Sequence, residues 1–239
     1  MYSGSHLWID GVHVVSNGGL HGRRQASGSI SLQPGYHMIY AKWFENGGGA
    51  NMVARYHGPD TGNRWIMIPA MHFIRARGGG LPNPAAMNMK KGWMCRIFFF
   101  HHQIHHMPNV ANRHPNKQIT LSRVELNDGG WGSKAGAHDQ FAAVLTGVLP
   151  VYEQGWYSFW TTSDDGSQLY VNGVHVVNNG GLHGARKHGG TIRLARGYHF
   201  MKVDFFENHG GAYLQVTYRG PDTGNHERHV EAYKPPGAP

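Results

Sequence analysis

Gly173-Val174-His175-Val176-Val177, followed by Asn179-Gly180-Gly181-Leu182-His183-Gly184, repeats Gly11-Val12-His13-Val14-Val15 and Asn17-Gly18-Gly19-Leu20-His21-Gly22 at a shift of 162 residues. Carried outward without gaps, this register lays residues 4–63 over residues 166–225, and 34 of the 60 positions are identical. Gly35-Tyr36-His37 falls on Gly197-Tyr198-His199, Phe44-Glu45-Asn46 on Phe206-Glu207-Asn208, and both repeats end in Gly-Pro-Asp-Thr-Gly-Asn. A period this long is domain-sized, far beyond the roughly 20–50 residues of a solenoid unit.

Within each repeat the pattern is that of strands. Met52-Val53-Ala54-Arg55-Tyr56 and Leu214-Gln215-Val216-Thr217-Tyr218 alternate apolar with partly polar residues, the period of a half-buried strand. Residues 35–44 and 197–206 are apolar on both parities, as in a strand covered on both sides. Asp10-Gly11, Asn172-Gly173 and the two Gly-Pro-Asp-Thr-Gly-Asn hexapeptides supply turns that need a positive φ. No stretch of a dozen residues keeps a helical period. The expected class is all-β, with antiparallel sheets packed face to face.

Composition agrees. Glycine makes up 35 of 239 residues, about twice its usual share of roughly 7%, and charged residues only 15% against roughly 25%. With 40% hydrophobic residues the chain is no disordered tail. No window approaches the ~18 apolar residues of a membrane span, and no secretory leader is visible at the start. The formal charge of +8 favours anionic partners. Basic residues nevertheless come at most two together, without the stripe that tracks a phosphate backbone, so nucleic acid is not expected. Cys95 is the single cysteine, which excludes an internal disulfide and a thiolate metal site.

The repeats differ in what precedes them. About 70 residues, from 92 to 162, stand ahead of the second, whereas the first begins almost at Met1. The expected organisation is a partial module over 1–77 (a C-terminal portion only), a linker over 78–91, a complete module over 92–231 and a tail over 232–239. A partial module leaves Met38, Ile39, Phe44, Met52 and Tyr56 to be covered by something else. That is either a preceding segment of a longer tandem array or strands from another chain.

The run Gln140-Phe141-Ala142-Ala143-Val144-Leu145-Thr146-Gly147-Val148-Leu149 is followed by Gly155-Trp156-Tyr157-Ser158-Phe159 and by Ser163-Asp164-Asp165-Gly166-Ser167-Gln168-Leu169-Tyr170-Val171-Asn172-Gly173. Together with Phe206-Glu207-Asn208-His209-Gly210-Gly211-Ala212 and Tyr218-Arg219-Gly220-Pro221, these motifs resemble the PA14 domain family, in order, over residues 92–231. The resemblance implies an antiparallel β-sandwich, usually extracellular or at the cell surface. Such modules serve in carbohydrate binding or adhesion, or as accessory domains of glycosidases and toxins. In lectin-like members two consecutive aspartates joined by a cis peptide hold a calcium ion that grips sugar hydroxyls, and the matching pair is Asp164 and Asp165. The remaining calcium oxygens, of the 6–8 the ion takes, would come from the loop containing Asn208 and Gly210. A plain polar turn at Asp164-Asp165-Gly166 remains the alternative. The first repeat carries Tyr2 and Ser3 at the aspartate positions and should not bind calcium in this way.

Other candidates are weaker. His101, His102, His105 and His106 have i, i+4 spacings, but no carboxylate or cysteine stands nearby and the Phe98-Phe99-Phe100 ahead of them reads as strand, so exposed loop histidines are expected. His13, His21 and His37 recur as His175, His183 and His199, which suggests a shared structural role such as hydrogen-bonding a turn. Trp43, Trp65, Trp156 and Trp160 sit in or near strands, where aromatics are usually core. Trp131, between Gly129-Gly130 and Gly132, reads as an exposed loop residue able to stack on a sugar. Enzyme signatures are missing, and adjacent aspartates cannot straddle a glycosidic bond across the ~5–9.5 Å that glycosidase carboxylates need. The expected function is a non-enzymatic structural or adhesive module that assembles with other copies or neighbouring modules. The alternatives are a calcium-dependent glycan-binding module and an accessory domain of a larger secreted glycosidase.

Overall fold

A computed structural model describes residues 3–10, 12–32, 37, 39–47, 51–68, 81, 84–87, 89–111 and 113–234. The first repeat supplies β1 (Ser3–Ile9), β2 (Val12–His21), β3 (Ile39–Glu45), β4 (Arg55–Tyr56) and β5 (Ile66–Met67). The rest of the chain supplies β6 (Trp93–Phe99), β7 (Lys117–Leu121), β8 (Glu125–Leu126), the single described α-helix α1 (Asp128–Ala135), β9 (Phe141–Val151) and β10 (Gly155–Asp164). After these come β11 (Ser167–Val171), β12 (Val174–Asn179), β13 (Arg186–Leu194), β14 (Gly197–Glu207), β15 (Tyr213–Arg219) and β16 (Arg228–His229).

Two antiparallel sheets enclose the main core. One runs β12-β11-β14-β9-β6-β7, and the other runs β13-β10-β15-β16 with β8 also paired to β15. Alternation along β10 sends Tyr157, Phe159, Thr161 and Ser163 inward, each fully buried, and exposes Trp156. Trp93, Ile97, Phe141, Leu145, Met201, Val203, Phe205, Leu214 and Val216 complete the interior, each worth about 1.5–3 kcal/mol of burial. β14 is covered on both sides, as its double-parity apolar pattern requires. Phe205 faces the sandwich, while Phe206 packs outward against Ala142 and Ile104.

The first repeat reproduces the β12-β11-β14 arrangement as a three-stranded sheet ordered β2-β1-β3. Turn chemistry matches the sequence reading. Asp10 and Asn172 have φ of 48° and 49°, and Gly62-Asn63 and Gly224-Asn225 lie near +60°. Three expectations need correction. The strand read over residues 52–56 shrinks to Arg55–Tyr56, and Met52 and Val53 are 43% and 53% exposed while their counterparts Leu214 and Gln215 belong to a full strand. Its apolar face finds no equivalent of β10 among the described residues. The expected linker does not extend to residue 91, because Met89 is buried against Val148. Nor does the module stop at 231: Ala232 is buried, Tyr233 bridges Val148 and Lys91, and the Lys234 amide bonds Lys90. Tyr2, Met38, Gly48, Gly49, the glycines of the expected linker and tail residues 235–239 lie outside the described residues.

Candidate functional site

β10 ends at Asp164, and the Asp164–Asp165 peptide is cis. Asp165 is 6% exposed and both of its carboxylate oxygens accept backbone amides, Oδ1 from His183 and Oδ2 from Asn208, each at 3.0 Å. Its own amide donates to Glu207 Oε2 at 3.0 Å. The loop after β14 is thus tied to the aspartate turn at its first residue. Two further carboxylates hold it at alternate amides, since Gly210 N–H donates to Asp139 Oδ1 (3.2 Å) and Ala212 N–H to Asp128 Oδ1 (2.5 Å). A Cβ built at Gly211 would stand 3.8 Å from Asp164 Oδ2 and 3.9 Å from Asp128 Oδ2. These are ordinary contact distances, and they place the Gly211 backbone between the two carboxylates.

The cluster carries more negative charge than its surroundings neutralise. None of Asp128, Asp164, Asp165 and Glu207 has a lysine or arginine within 4 Å among the described residues. Burial, then repulsion from Asp165, raises the Asp164 carboxyl above its ordinary range, opposed by the Ala185 amide and His183. Glu207 is pushed up to about 8, first by burial and then by Asp165, with smaller contributions from Asp164 and Asp139 and opposition from the Asp165 amide. Its Oε1 is buried without a hydrogen-bond partner. Hard oxygen donors with uncompensated charge suit a hard divalent cation, and the Asp165 oxygens, each accepting one amide, keep a lone pair apiece. Among the described residues, however, no three His, Cys, Asp or Glu side chains already converge as a metal cage.

Asn208 also serves the loop's anchoring. Its amide oxygen accepts the Ile104 N–H at 3.0 Å and its carbonyl accepts the Gln140 N–H at 3.1 Å, so it links the loop to the segment after β6. Trp131 is a clear correction. It lies in α1, is 0% exposed, and stacks on Phe205 with ring centroids 5.2 Å apart and an interplanar angle of 6°. Asn127 caps this helix by accepting the Gly130 N–H, and Gly136 closes it at φ 64°. Sugar stacking by Trp131 is therefore ruled out by its burial.

His101, His102, His105 and His106 are exposed and outside regular structure. One recurring pair of histidines closes a turn: His21 bonds the carbonyls of Gly22 and Asn17, and His183 those of Gly184 and Asn179. In the first repeat Glu45, the counterpart of Glu207, accepts the Gly47 N–H at 2.8 Å. Glu207, Asp128 and Asp139 are the site members that sequence reading missed. Glu207 was within reach as the acidic member of the repeated Phe-Glu-Asn. Asp128 and Asp139 stand outside the repeat and meet the loop only through the fold.

A sandwich of these two sheets with an acidic loop cluster at one end defines the class, and the chain belongs to the PA14 domain family, whose match spans residues 107–231. Among solved structures it is similar to a PA14 sugar-binding domain from an RTX adhesin, at 20% identity and TM-score 0.52, covering 60% of this chain and 98% of that one. It is also similar to the PA14 domain of the antifreeze protein MpAFP, at 15% identity and TM-score 0.51, covering 66% and 96%. At these identities the likeness is one of fold. No curated protein matches the chain.

Proposed function

We propose that residues 92–234 form a non-enzymatic, extracellular binding module that takes calcium at Asp164 and Asp165 and uses it to hold a glycan. The observation that carries this reading is the crowd of uncompensated carboxylates around the aspartate turn, including the unpartnered Glu207 Oε1. Asp164 and Asp165 are the anionic ligands, and the 208–212 loop supplies further oxygens. Calcium at such a site would offer open coordination positions to neighbouring sugar hydroxyls. Asp128, Asp139 and Asp165 hold the loop in place through its alternate amides. The PA14 domain of the RTX adhesin is a sugar-binding one, and that makes glycans the ligand class to test first. Extracellular modules bind calcium at ~10⁻⁴–10⁻³ M, so millimolar calcium is needed in the assay. Calcium should raise the melting temperature of the wild type and leave Asp164→Asn unmoved, and glycan-array binding should require calcium. No calcium-dependent shift in the wild type would remove the reading.

Adhesive assembly is the second reading, supported by the first repeat. Trp43 and Phe44 on β3 are 40% and 41% exposed, whereas the equivalent Phe205 and Phe206 are 0% and 1% exposed.

A further inference from the structure

The outer face of the sheet formed by β13, β10 and β15 carries a second chemistry, remote in kind from the acidic loops. Residues opposite one another in register share a face, which sets Arg193, Thr191, Gly189 and Lys187 of β13 beside Trp156, Ser158, Trp160 and Thr162 of β10. On the other side Arg219, Thr217 and Gln215 of β15 stand beside Ser158, Trp160 and Thr162. Trp156 is 66% exposed. A Cβ at Gly189 would come to 2.4 Å from Trp160 Cδ1 and Nε1, so the missing side chain is what lets that indole lie against the strand. Lys187 Nζ and Arg219 Cζ sit 5.0 and 5.3 Å from the Trp160 ring centroid, a cation–π arrangement that holds both cations in front of the sheet. Glu227 neutralises Lys187 at 2.5 Å. Arg193 and Arg219 have no carboxylate within 4 Å among the described residues; Arg193 stands opposite Trp156 on β13, and Arg219 stands opposite Ser158 on β15, between the two tryptophans of that face.

We infer that this face binds an acidic polysaccharide, with Trp156 packed on the C–H face of a sugar ring and Arg193 and Arg219 pairing with carboxylates on that ring and its neighbours. The guanidinium fork matches a carboxylate in bidentate geometry, and the chain's charge of +8 draws a polyanion to it. A nucleic acid fits less well. Stacked bases need aromatic platforms in close succession, whereas Trp156 and Trp160 are four residues apart on one strand, about 13 Å at ~3.3 Å per residue, and two cations already cover Trp160. Binding here needs no calcium, so it stands or falls apart from the loop site.

Titration calorimetry of the full chain with polygalacturonate in the presence of EDTA tests this. The wild type and Asp164→Asn should bind equally, while Trp156→Ala and Arg193→Ala/Arg219→Ala should weaken binding about tenfold or more, a loss of ~1.4 kcal/mol. Melting temperatures of the variants should match the wild type, because the substituted side chains are exposed. The inference is overturned if the wild type does not bind, if binding disappears with EDTA, or if either variant binds normally. It is also overturned if dextran sulfate, neutral dextran or a single-stranded oligonucleotide binds as tightly as polygalacturonate, since bulk charge or another ligand class would then explain the result.

Discussion

Asp165 does two separable jobs, and substitutions can tell them apart. Its carboxylate ties the His183 and Asn208 amides, so removing it leaves two backbone donors to find water. Asp165→Ala is expected to destabilise the calcium-free protein by about 1–3 kcal/mol, whereas Asp164→Asn should leave calcium-free stability nearly intact and lose only the calcium response. Thermal melts with EDTA and with calcium separate these outcomes. Glu207 adds a pH dependence with a definite sign. Its folded-state pKa, about 8, lies above the ordinary 4.5, so the ionised form is disfavoured in the fold. Calcium-free stability should therefore fall as pH rises from about 5 to 8 and flatten in Glu207→Gln, which can be followed by melting temperature in EDTA. Calcium affinity should move oppositely, since protons on Asp164 and Glu207 compete with the cation at low pH. A wild-type melting temperature that climbs over this range in EDTA would contradict the placement of Glu207.

At the scale of elements, α1 and β10 show what sequence pattern can and cannot carry. β10 alternates cleanly in the structure, with Tyr157 and Phe159 inside and Trp156 outside, so the expectation that a strand tryptophan is core fails for Trp156, which falls on the outward parity. α1 has the opposite character: its Asp128-Gly129-Gly130-Trp131-Gly132 start has poor helix propensity, so the stretch reads as a loop. What makes it a helix is the Asn127 and Gly136 caps and the burial of Trp131 against Phe141 and Phe205. The caps are local, but Phe205, on which Trp131 stacks, is not. The same limit hid Asp128 and Asp139, which meet Ala212 and Gly210 across 84 and 71 residues of chain, while Asp164-Asp165 was legible because its partners follow a recognisable motif. Truncation measures the contrast between the two tryptophans. Trp131→Ala should cost about 3–5 kcal/mol and Trp156→Ala no more than ~0.5 kcal/mol, read from urea unfolding. Equal costs would mean that one of the two has been placed on the wrong side of the sheet.

For the whole molecule, the decisive comparison is between the two repeats, which share 34 of 60 residues but not their surroundings. β14 has β11 on one edge and β9 on the other, and Phe205 lies beneath Trp131 and Phe141. β3 has β1 on one edge and, among the described residues, no strand on the other. Trp8 of β1 does reach the second repeat, where a Cβ at Gly173 would stand 2.5 Å from its Nε1, but that contact lies at the Asn172-Gly173 turn and leaves Trp43 and Phe44 uncovered. An open strand edge beside exposed aromatics favours association. The chain is therefore expected to self-associate with rising concentration in light scattering. Trp43→Lys places a charge on that edge strand and should shift the distribution toward monomer, with the melting of residues 92–234 unaffected. A strand shaped like β9 is the natural cover, because Ala143 and Ala142 oppose Phe205 and Phe206 there and would oppose Trp43 and Phe44 in the equivalent register. Wild-type protein that stays monomeric and melts cooperatively at high concentration would show that β3 needs no such cover.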